Sequence, residues 1–308
     1  MAETMRRRIG KRIAHGIKGK FARKKMPVRH IRKVKDFIVI NRVFSTYRLK
    51  IRRFKPKIRM AVEKGSFLIK TVDNGRELAR ALKLRYAIFH HELLERKTHR
   101  YSVDTDKFDF MCDHLVIIDR KADRYIGTYR LNLSSFSRAF YSSQEFDITR
   151  ILKLPGVKLE LGRACVDREY RSGIVIALLW RGLAEYIRLT GARYLFGCSS
   201  IMTTDLTETC IVHKYLRDTC YADESLRVHP TEKYRMPGIE DCDRIVAAGE
   251  HPEGAAKKLI PSLLDFYIKA GAKICGEPAL DRDFKCVDFF TVLDMEHLTA
   301  SLGNKYQV

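Results

Sequence analysis

A short basic loop, residues 168–173, lies between a predicted strand and a predicted apolar helix. The first-turn amide groups of a helix have no internal partners, and the helix dipole adds positive potential there. The loop therefore stands where a phosphate group would bind. Its candidate ligands are Arg168, Arg171, Ser172 and Gly173. An ordinary strand-to-helix connection with solvated arginines is the alternative, and the loop alone leaves it open.

Four further motifs place charged side chains at fixed spacings in order along the chain. They are Arg85-x-x-x-Phe89 on a predicted helix, Asp106-x-Phe108-Asp109 in an acidic loop, Gly127-Thr-Tyr-Arg130-Leu131 on a predicted strand, and Glu160-Leu-Gly-Arg163 on the next strand. Each motif alone has a structural explanation. Glu160 and Arg163 could form only a strand-end ion pair, and the two aspartates could serve only to solvate their loop.

In this order, the motifs resemble the acyl-homoserine-lactone synthases and, more closely, the bacterial ornithine-lipid N-acyltransferases, sometimes labelled hemolysin-like. The closer likeness lies in the phrases ELGRACVDREYRSG, IALLWRGLAEYI and YLFGCSSI. The basic loop resembles the R/Q-x-x-G-x-G/A loop of GCN5-related acyltransferases, with Arg171 in place of the first glycine. Lactone synthases carry a tryptophan soon after the position of Phe89, whereas the only tryptophan here is Trp180. That departure favours the lipid enzymes.

The resemblance implies that a phosphopantetheine thioester on acyl carrier protein lies between two splayed strands, and that an amine attacks it directly. Ornithine is the implied acceptor, and the products are an amide and the free carrier thiol. Glu160 is the implied base, directly or through a water, because an ammonium group has no lone pair. Arg163 is the second implied catalytic residue. The implied substrate-binding residues are Arg85, Phe89, Asp106, Asp109 and Arg130, and neither a metal nor a covalently bound cofactor is expected.

The elements that position these residues follow an α/β (α+β) order. The resemblance implies a GCN5-related N-acyltransferase-like mixed twisted sheet flanked by helices. Hydrophobic periodicity and turn residues predict the elements themselves. The strands are predicted at 67–72, 114–119, 125–132, 158–166, 194–198, 273–275 and 287–293, and the helices at 75–94, 174–189 and 263–270. Residues 205–260 are polar and mixed, which indicates an insertion over the site.

Most of the positive charge is at the N-terminus. Of the net charge of +22 on 308 residues, residues 1–60 carry all but +2, because they hold 22 Lys and Arg and two acidic residues. Apolar residues recur there at every fourth position among the cations: Ile9, Ile13, Ile17 and Phe21. This pattern predicts a basic amphipathic arm on an anionic membrane surface. Binding to nucleic-acid phosphates and a solvated tail are the alternatives. We therefore expect an arm at 1–60 and an acyltransferase domain at 61–308.

The cysteines and the lack of a secretion signal bear on location. Eight cysteines are scattered without a CxxC pair, so buried reduced thiols are expected rather than disulfides or a zinc site. No apolar run reaches the ~20 residues of a membrane span. The predicted location is cytoplasmic, peripheral on the inner face of the cytoplasmic membrane. Two other functions stay open: a lactone-type signal synthase, and a nucleic-acid-binding protein with an inactive acyltransferase-like body.

Overall fold

The computed structural model describes residues 46–95, 103–171, 173–252 and 254–298. The chain divides into two compact units, residues 1–48 and 49–308, and the description below concerns the second. Most of the predicted arm, including its amphipathic repeat, lies outside the described residues. The last part of the predicted arm belongs to the second unit, because Phe54 and Met60 are buried there.

A nine-stranded mixed sheet forms the centre of this unit. Its strands are β1 (Ala61–Lys64), β2 (Phe67–Thr71), β3 (Asp113–Asp119), β4 (Arg124–Leu133), β6 (Val157–Val166), β7 (Ala192–Ile201), β9 (Lys273–Ile274), β10 (Ala279–Asp281) and β11 (Cys286–Asp294). The order is β1-β2-β3-β4-β6-β7-β11-β10, with β9 on β11. β6 and β7 run parallel, whereas the other described pairs of this sheet are antiparallel. β5 (Phe146–Asp147) pairs with β8 (His229–Pro230) in a separate small sheet.

The helices flank the central sheet. They are α1 (Gly75–Tyr86), α2 (Thr149–Lys153), α3 (Gly173–Thr190), α4 (Leu206–Cys220), α5 (Cys242–Ala248), α6 (Ala255–Leu259) and α7 (Ser262–Lys269). α1 begins where the Asn74 side chain accepts hydrogen bonds from two first-turn amides, and it continues as a π-helix over Ala87–Leu93. Within the described ranges, no helix has both the length and the apolarity needed to cross a membrane.

Alternating residues on the strands of the central sheet build separate cores on its two faces. On β7, Leu195 packs into the core that contains α3, whereas its neighbour Phe196 packs with Phe140 and Phe290 on the opposite face. α3 lies very close to the sheet at Gly182, where a Cβ atom would be 2.4 Å from a methyl carbon of Ile69. The sheet thus has an apolar core on each face, and neighbouring residues of one strand contribute to different cores.

The predicted mixed sheet and the main helices are confirmed, but the region 205–260 holds two surprises. It contains α4, which the mixed polar sequence did not predict. It also contains a disulfide between Cys210 on α4 and Cys242 on α5, with a Cα–Cα distance of 4.9 Å. The prediction of reduced thiols is therefore wrong for this pair, because two helices distant in sequence lie side by side. The other six cysteines are free.

Candidate active site

The parallel strands β6 and β7 separate in the middle of the sheet. Their register runs from Val157 opposite Ala192 to Glu160 opposite Phe196, and no described pairing continues beyond it. At the point of separation, a Cβ atom on Gly197 would lie 2.3 Å from the Leu161 carbonyl oxygen, so only glycine fits. The splayed pair that the resemblance implied is present, and it opens a gap in the sheet.

A β-bulge on β6 lies next to this gap. Gly162 pairs with Arg130 and Cys165 with Thr128, so two residues of β6 face one residue of β4. Arg163, within the bulge, has φ +50°, which is uncommon for a residue with a side chain. The bulge turns the Arg163 side chain and releases backbone groups of β6 from the regular ladder. Released N–H groups of this kind can stabilise an oxyanion.

A cavity of about 340 Å³ occupies the gap and differs sharply in character between its two ends. The apolar end lies on the face covered by α3 and α7, with Tyr129, Trp180, Leu195, Leu263, Tyr267 and Leu293 among its lining. The polar end includes Tyr141, Arg163, Cys198, Ser200, Asp281 and Asp288. The described lining contains no residue between 203 and 260, so the predicted insertion does not contribute to the cavity wall.

Three arginines and three aspartates form ion pairs beside the polar end. We call them the paired cluster: Arg85, Arg130, Arg163, Asp104, Asp106 and Asp109. The buried Arg85 donates from Nε to Asp104 Oδ2 at 2.7 Å and from Nη1 to Asp109 Oδ1 at 2.6 Å. Arg130 Nη1 donates to both carboxylate oxygens of Asp106, at 2.8 and 2.7 Å. Burial is the largest single influence and would raise the pKa of Asp104 and Asp109, but Arg85, acting together with Arg163 at Asp104 and with Arg130 at Asp109, lowers both.

The predicted substrate-binding residues take different places in this arrangement. Phe89 and Arg130 line the cavity. Arg85 and Asp109 lie behind the described lining, fully buried, where they fix the acidic loop against α1. Asp106 caps a short 3-10 helix and contacts Arg130. The structure therefore brings two of the five to the wall and gives the other three positioning contacts.

Glu160 lines the cavity and is fully hydrogen-bonded. Its Oε1 accepts from the Ser142 amide at 2.7 Å and the Ser142 hydroxyl at 2.8 Å. Its Oε2 accepts from the Tyr141 amide at 2.9 Å and the Asn132 amide group at 3.1 Å. These bonds hold the segment 141–142 against β6. A proton from an amine would reach Glu160 only in competition with these donors or through a water, so its role as base stays a prediction.

Arg163 presents a loosely held cation to the polar end. Its guanidinium lies 4.7 Å from the Tyr141 ring and 4.9 Å from the Phe284 ring. Its contacts with Asp104 and Asp106 are long, at 3.5 and 3.4 Å, and Nε has no hydrogen-bond partner within the described part of the chain. A guanidinium stacked on aromatic rings with a free donor suits a carboxylate ligand.

The basic loop follows β6 directly and ends at the first residue of α3. Arg168 is exposed, and Gly173 opens the helix with free space where a Cβ atom would be. Arg171 is paired with Glu92, with N–O distances of 2.5 and 2.9 Å. Ser172 lies outside the described residues. In the described part of the loop, Arg168 and Arg171 are both exposed and Arg171 is paired with Glu92, so phosphate binding there stays a prediction.

Sequence reasoning missed several residues of the polar end. Asp104 bridges Arg85 and Arg163, and its signal was a third aspartate in the same acidic loop. Asp288 lies on β11 and accepts from the Ser200 hydroxyl. A carboxylate within an apolar strand was the signal for it. No sequence signal pointed to Glu145, because it lies in an irregular segment far in sequence from the other residues.

Comparisons with known proteins agree on the type of enzyme. The model of the acetyltransferase (GNAT) domain matches residues 84–181. An L-ornithine N(alpha)-acyltransferase of Brucella abortus is 30% identical over 257 residues, covering 79% of this chain and 89% of its own. One from Rhodobacter capsulatus is 29% identical over 251 residues, covering 78% and 94%.

Solved structures show weaker likeness. TofI, in a complex with an inhibitor and MTA, has a TM-score of 0.42 and 13% identity, covering 79% of this chain and 97% of its own. The CoA-dependent acyl-homoserine lactone synthase BjaI, with SAM and isopentyl-CoA, has a TM-score of 0.40 and 14% identity, covering 76% and 83%. At these TM-scores neither structure bears on the fold, which rests on the sheet topology and the matched domain.

Proposed function

The chain belongs to the L-ornithine N(alpha)-acyltransferase family and is an acyltransferase, and from this premise we propose that it transfers a (3-hydroxy)fatty acyl group from acyl carrier protein to the α-amine of ornithine, in ornithine-lipid synthesis. One observation carries the proposal. The cavity at the separation of β6 and β7 is apolar at one end and charged at the other. Such a cavity suits the joining of a fatty acyl chain to a charged amino acid.

In the proposed step, the neutral amine attacks the thioester carbonyl. A C–N bond forms and the C–S bond breaks. The nitrogen proton passes to the departing thiolate, so the products are an amide and a thiol. The ammonium form must first lose a proton, which Glu160 accepts through a water. Backbone N–H groups at the Arg163 bulge stabilise the oxyanion.

The apolar end supports the binding of a long acyl chain. Trp180 and Tyr267 contribute large rings to its wall, and Leu195 contributes from β7. Each methylene removed from water adds about 0.8 kcal/mol of favourable free energy. The carrier phosphate then lies at the N-terminus of α3, where Arg168 is exposed and Arg171 exchanges its Glu92 partner for phosphate.

The N-terminal arm is the proposed contact with the membrane. Its charge of +20 over residues 1–60 supports attraction to anionic lipid, which is where the product would reside. We expect the full chain to sediment with phosphatidylglycerol vesicles and not with phosphatidylcholine vesicles. Equal sedimentation with both lipids, or none with either, would contradict this part of the proposal.

The direct experiment is an acyl-transfer assay with the purified full chain. Ornithine is incubated with 3-hydroxyacyl carrier protein or with the matching acyl-CoA, and amide products are measured by mass spectrometry. We expect N-acylornithine with carrier protein and much less with CoA. Efficient transfer from CoA alone would overturn the assigned donor. No amide from either donor would overturn the function.

A further inference from the structure

A second group of carboxylates lies at the polar end of the cavity. We call Glu145, Asp281 and Asp288 the unpaired cluster. All three are buried, and Asp281 and Asp288 line the cavity. Asp281 and Asp288 point to the same face because they lie on the paired strands β10 and β11 at positions with the same orientation. The Asp288 carboxylate has the Ser200 hydroxyl as a neutral donor.

Glu145 is the most unusual member. Its side chain is completely buried, and neither carboxylate oxygen has a hydrogen bond of acceptable geometry to any described residue. The Tyr141 hydroxyl, the Cys198 thiol and the Asp288 carboxyl are its nearest polar neighbours. Burial, followed by the charge of Asp288, raises the pKa of Glu145 well above its ordinary value. A buried acceptor without a donor costs free energy.

No protein cation neutralises this cluster in the described ranges. Ion pairs of the described residues, taken at N–O distances up to 4.0 Å, include none of the three carboxylates. Arg163 favours ionisation of Asp288 but only from beyond that distance. Buried carboxylates are normally paired or bind a cation. Asp281 and Asp288 face the cavity with neutral hydrogen-bond donors, the backbone amides of Asp283 and Phe284 and the Ser200 hydroxyl. Glu145 interacts with Asp288 from outside the described lining. Buried carboxylates that meet neutral donors and no described cation point to a cationic ligand.

The same place could hold a metal ion, because ligand atoms of Asp281, Cys286 and Asp288 lie within 4.8 Å of one another. One observation favours an organic cation over a metal ion. The cluster shares its cavity with the Arg163 guanidinium, so the polar end has a positive side and a negative side, which suits an amino acid with a charged side chain.

We infer that Asp281 and Asp288 bind the side-chain ammonium of a diamino-acid acceptor, with Glu145 adding negative charge next to Asp288, while Arg163 binds its carboxylate. This inference rests on the proposed function and adds a basis for acceptor selectivity. An amino acid held at both ends has its α-amine between them, beside the gap where the thioester lies. The ammonium group then supplies the unpaired cluster with the positive charge that no described residue places at ion-pair distance, and a neutral amino acid has no such group.

The test compares two acceptors that share one carbon chain. L-ornithine carries a δ-amine, and L-norvaline lacks it. With the wild-type full chain and the same acyl carrier protein donor, we expect kcat/KM for ornithine to exceed that for norvaline by at least about tenfold, as for a lost hydrogen bond to a charged group. Equal values would overturn the inference, and this comparison needs no variant that could misfold.

Variants that each remove one carboxylate charge test which residues cause the preference for ornithine over norvaline. Asp288→Asn and Asp281→Asn keep side-chain shape and remove one charge each, and we expect each to lower the ornithine-to-norvaline ratio severalfold. Asp283→Asn is the matched control, because Asp283 is exposed and two residues from Asp281. We expect it to leave the ratio unchanged. An unchanged ratio in both cavity variants would overturn the inference.

Three outcomes separate the possible explanations of a failed test. If EDTA abolishes wild-type transfer and Mn²⁺ or Zn²⁺ restores it, the cluster holds a metal ion and the ammonium inference is overturned. If the wild type forms amide from both acceptors equally, only the inference fails. If it forms no amide from any amine, the proposed function itself has failed.

Discussion

Two groups of three carboxylates lie near one cavity, all buried except the half-buried Asp106, and they meet opposite electrostatic conditions. In the paired cluster, three aspartates face three arginines, and Arg85 lowers the pKa of Asp104 and Asp109 against the effect of burial. In the unpaired cluster, burial raises the pKa of Glu145 and Asp288, and no arginine of the described residues lies at ion-pair distance. Each aspartate of the first cluster has an arginine partner, whereas the carboxylates of the second have no described cation within that distance.

The difference separates positioning from binding. A complete network of buried ion pairs holds the acidic loop, α1 and β4 in one geometry, because any lost partner leaves an uncompensated charge. A cluster of carboxylates without cationic partners contributes little to stability. Its electrostatic attraction therefore remains available for a cationic ligand. The cavity wall is thus fixed on one side and prepared for a charged acceptor on the other.

The largest expected effect comes from breaking the paired cluster. Arg85→Met should lower the free energy of unfolding by about 3–5 kcal/mol, because it leaves Asp104 and Asp109 buried without their main partner. Chemical denaturation measures this value. Arg80→Met on the same helix is the control, since its ion pair with Asp123 is exposed, and it should cost less than about 1 kcal/mol. Similar losses for the two variants would show that the cluster is not the stabilising network.

Glu160 belongs to neither cluster, because its hydrogen-bond partners are neutral donors. Glu160→Gln should lower kcat for ornithine acylation by about 100-fold or more, through loss of the proton acceptor and of one of the two backbone hydrogen bonds to residues 141–142. Steady-state kinetics with acyl carrier protein measure it. Glu169→Gln, at an exposed glutamate after the same strand, should change kcat little. A Glu160→Gln rate within threefold of wild type would rule out both roles.

A smaller effect of opposite sign is expected in the unpaired cluster. Asp288→Asn should raise the free energy of unfolding by about 0.5–2 kcal/mol, because it removes a buried charge and offers Glu145 a donor. Thermal denaturation without ligand measures the change, with the exposed Asp283→Asn as control. Destabilisation by Asp288→Asn would indicate that a partner of Asp288 had been overlooked.

The smallest effect is a difference in pH dependence. The pKa values of Asp104 and Asp109 are lowered, so their stabilisation is present above an ordinary carboxyl pKa and is lost as the pH falls. The pKa values of Glu145 and Asp288 are raised, so stability falls as the pH rises past their ordinary values of 4.5 and 3.8. The stability advantage of Asp288→Asn should therefore grow from acidic to neutral pH. A constant advantage between pH 4 and pH 8 would contradict this assignment.

Local sequence signals identified the sheet and one wall of the site. Apolar strands and helices were found near their observed positions, because periodicity reports which residues face a core. The motifs around Arg85, Arg130 and Glu160 were clear because each lies within a few residues on one element. The order of the strands in the sheet decides which motifs contact one another. No single motif reveals that order.

The unpaired cluster could not be predicted from the sequence. Glu145 lies far in sequence from Asp281 and Asp288. The pairing of β10 with β11, the hydrogen bonds of Glu160 to the 141–142 segment and the pairing of β5 with β8 bring the three together. The disulfide between Cys210 and Cys242 escaped for the same reason, since it depends on α4 and α5 lying side by side. Long-range contacts of this kind need the packed structure.

The most direct test of the active-site assignment is to locate the acyl chain itself. A fatty acyl carrier protein with a photoreactive tail is irradiated with the full-length protein, and the cross-linked peptides are identified by mass spectrometry. If the gap between β6 and β7 holds the thioester, cross-links will fall on α3 and α7, at the apolar end that includes Trp180 and Tyr267. Cross-links confined to α4–α6 or to the outer surface would contradict it.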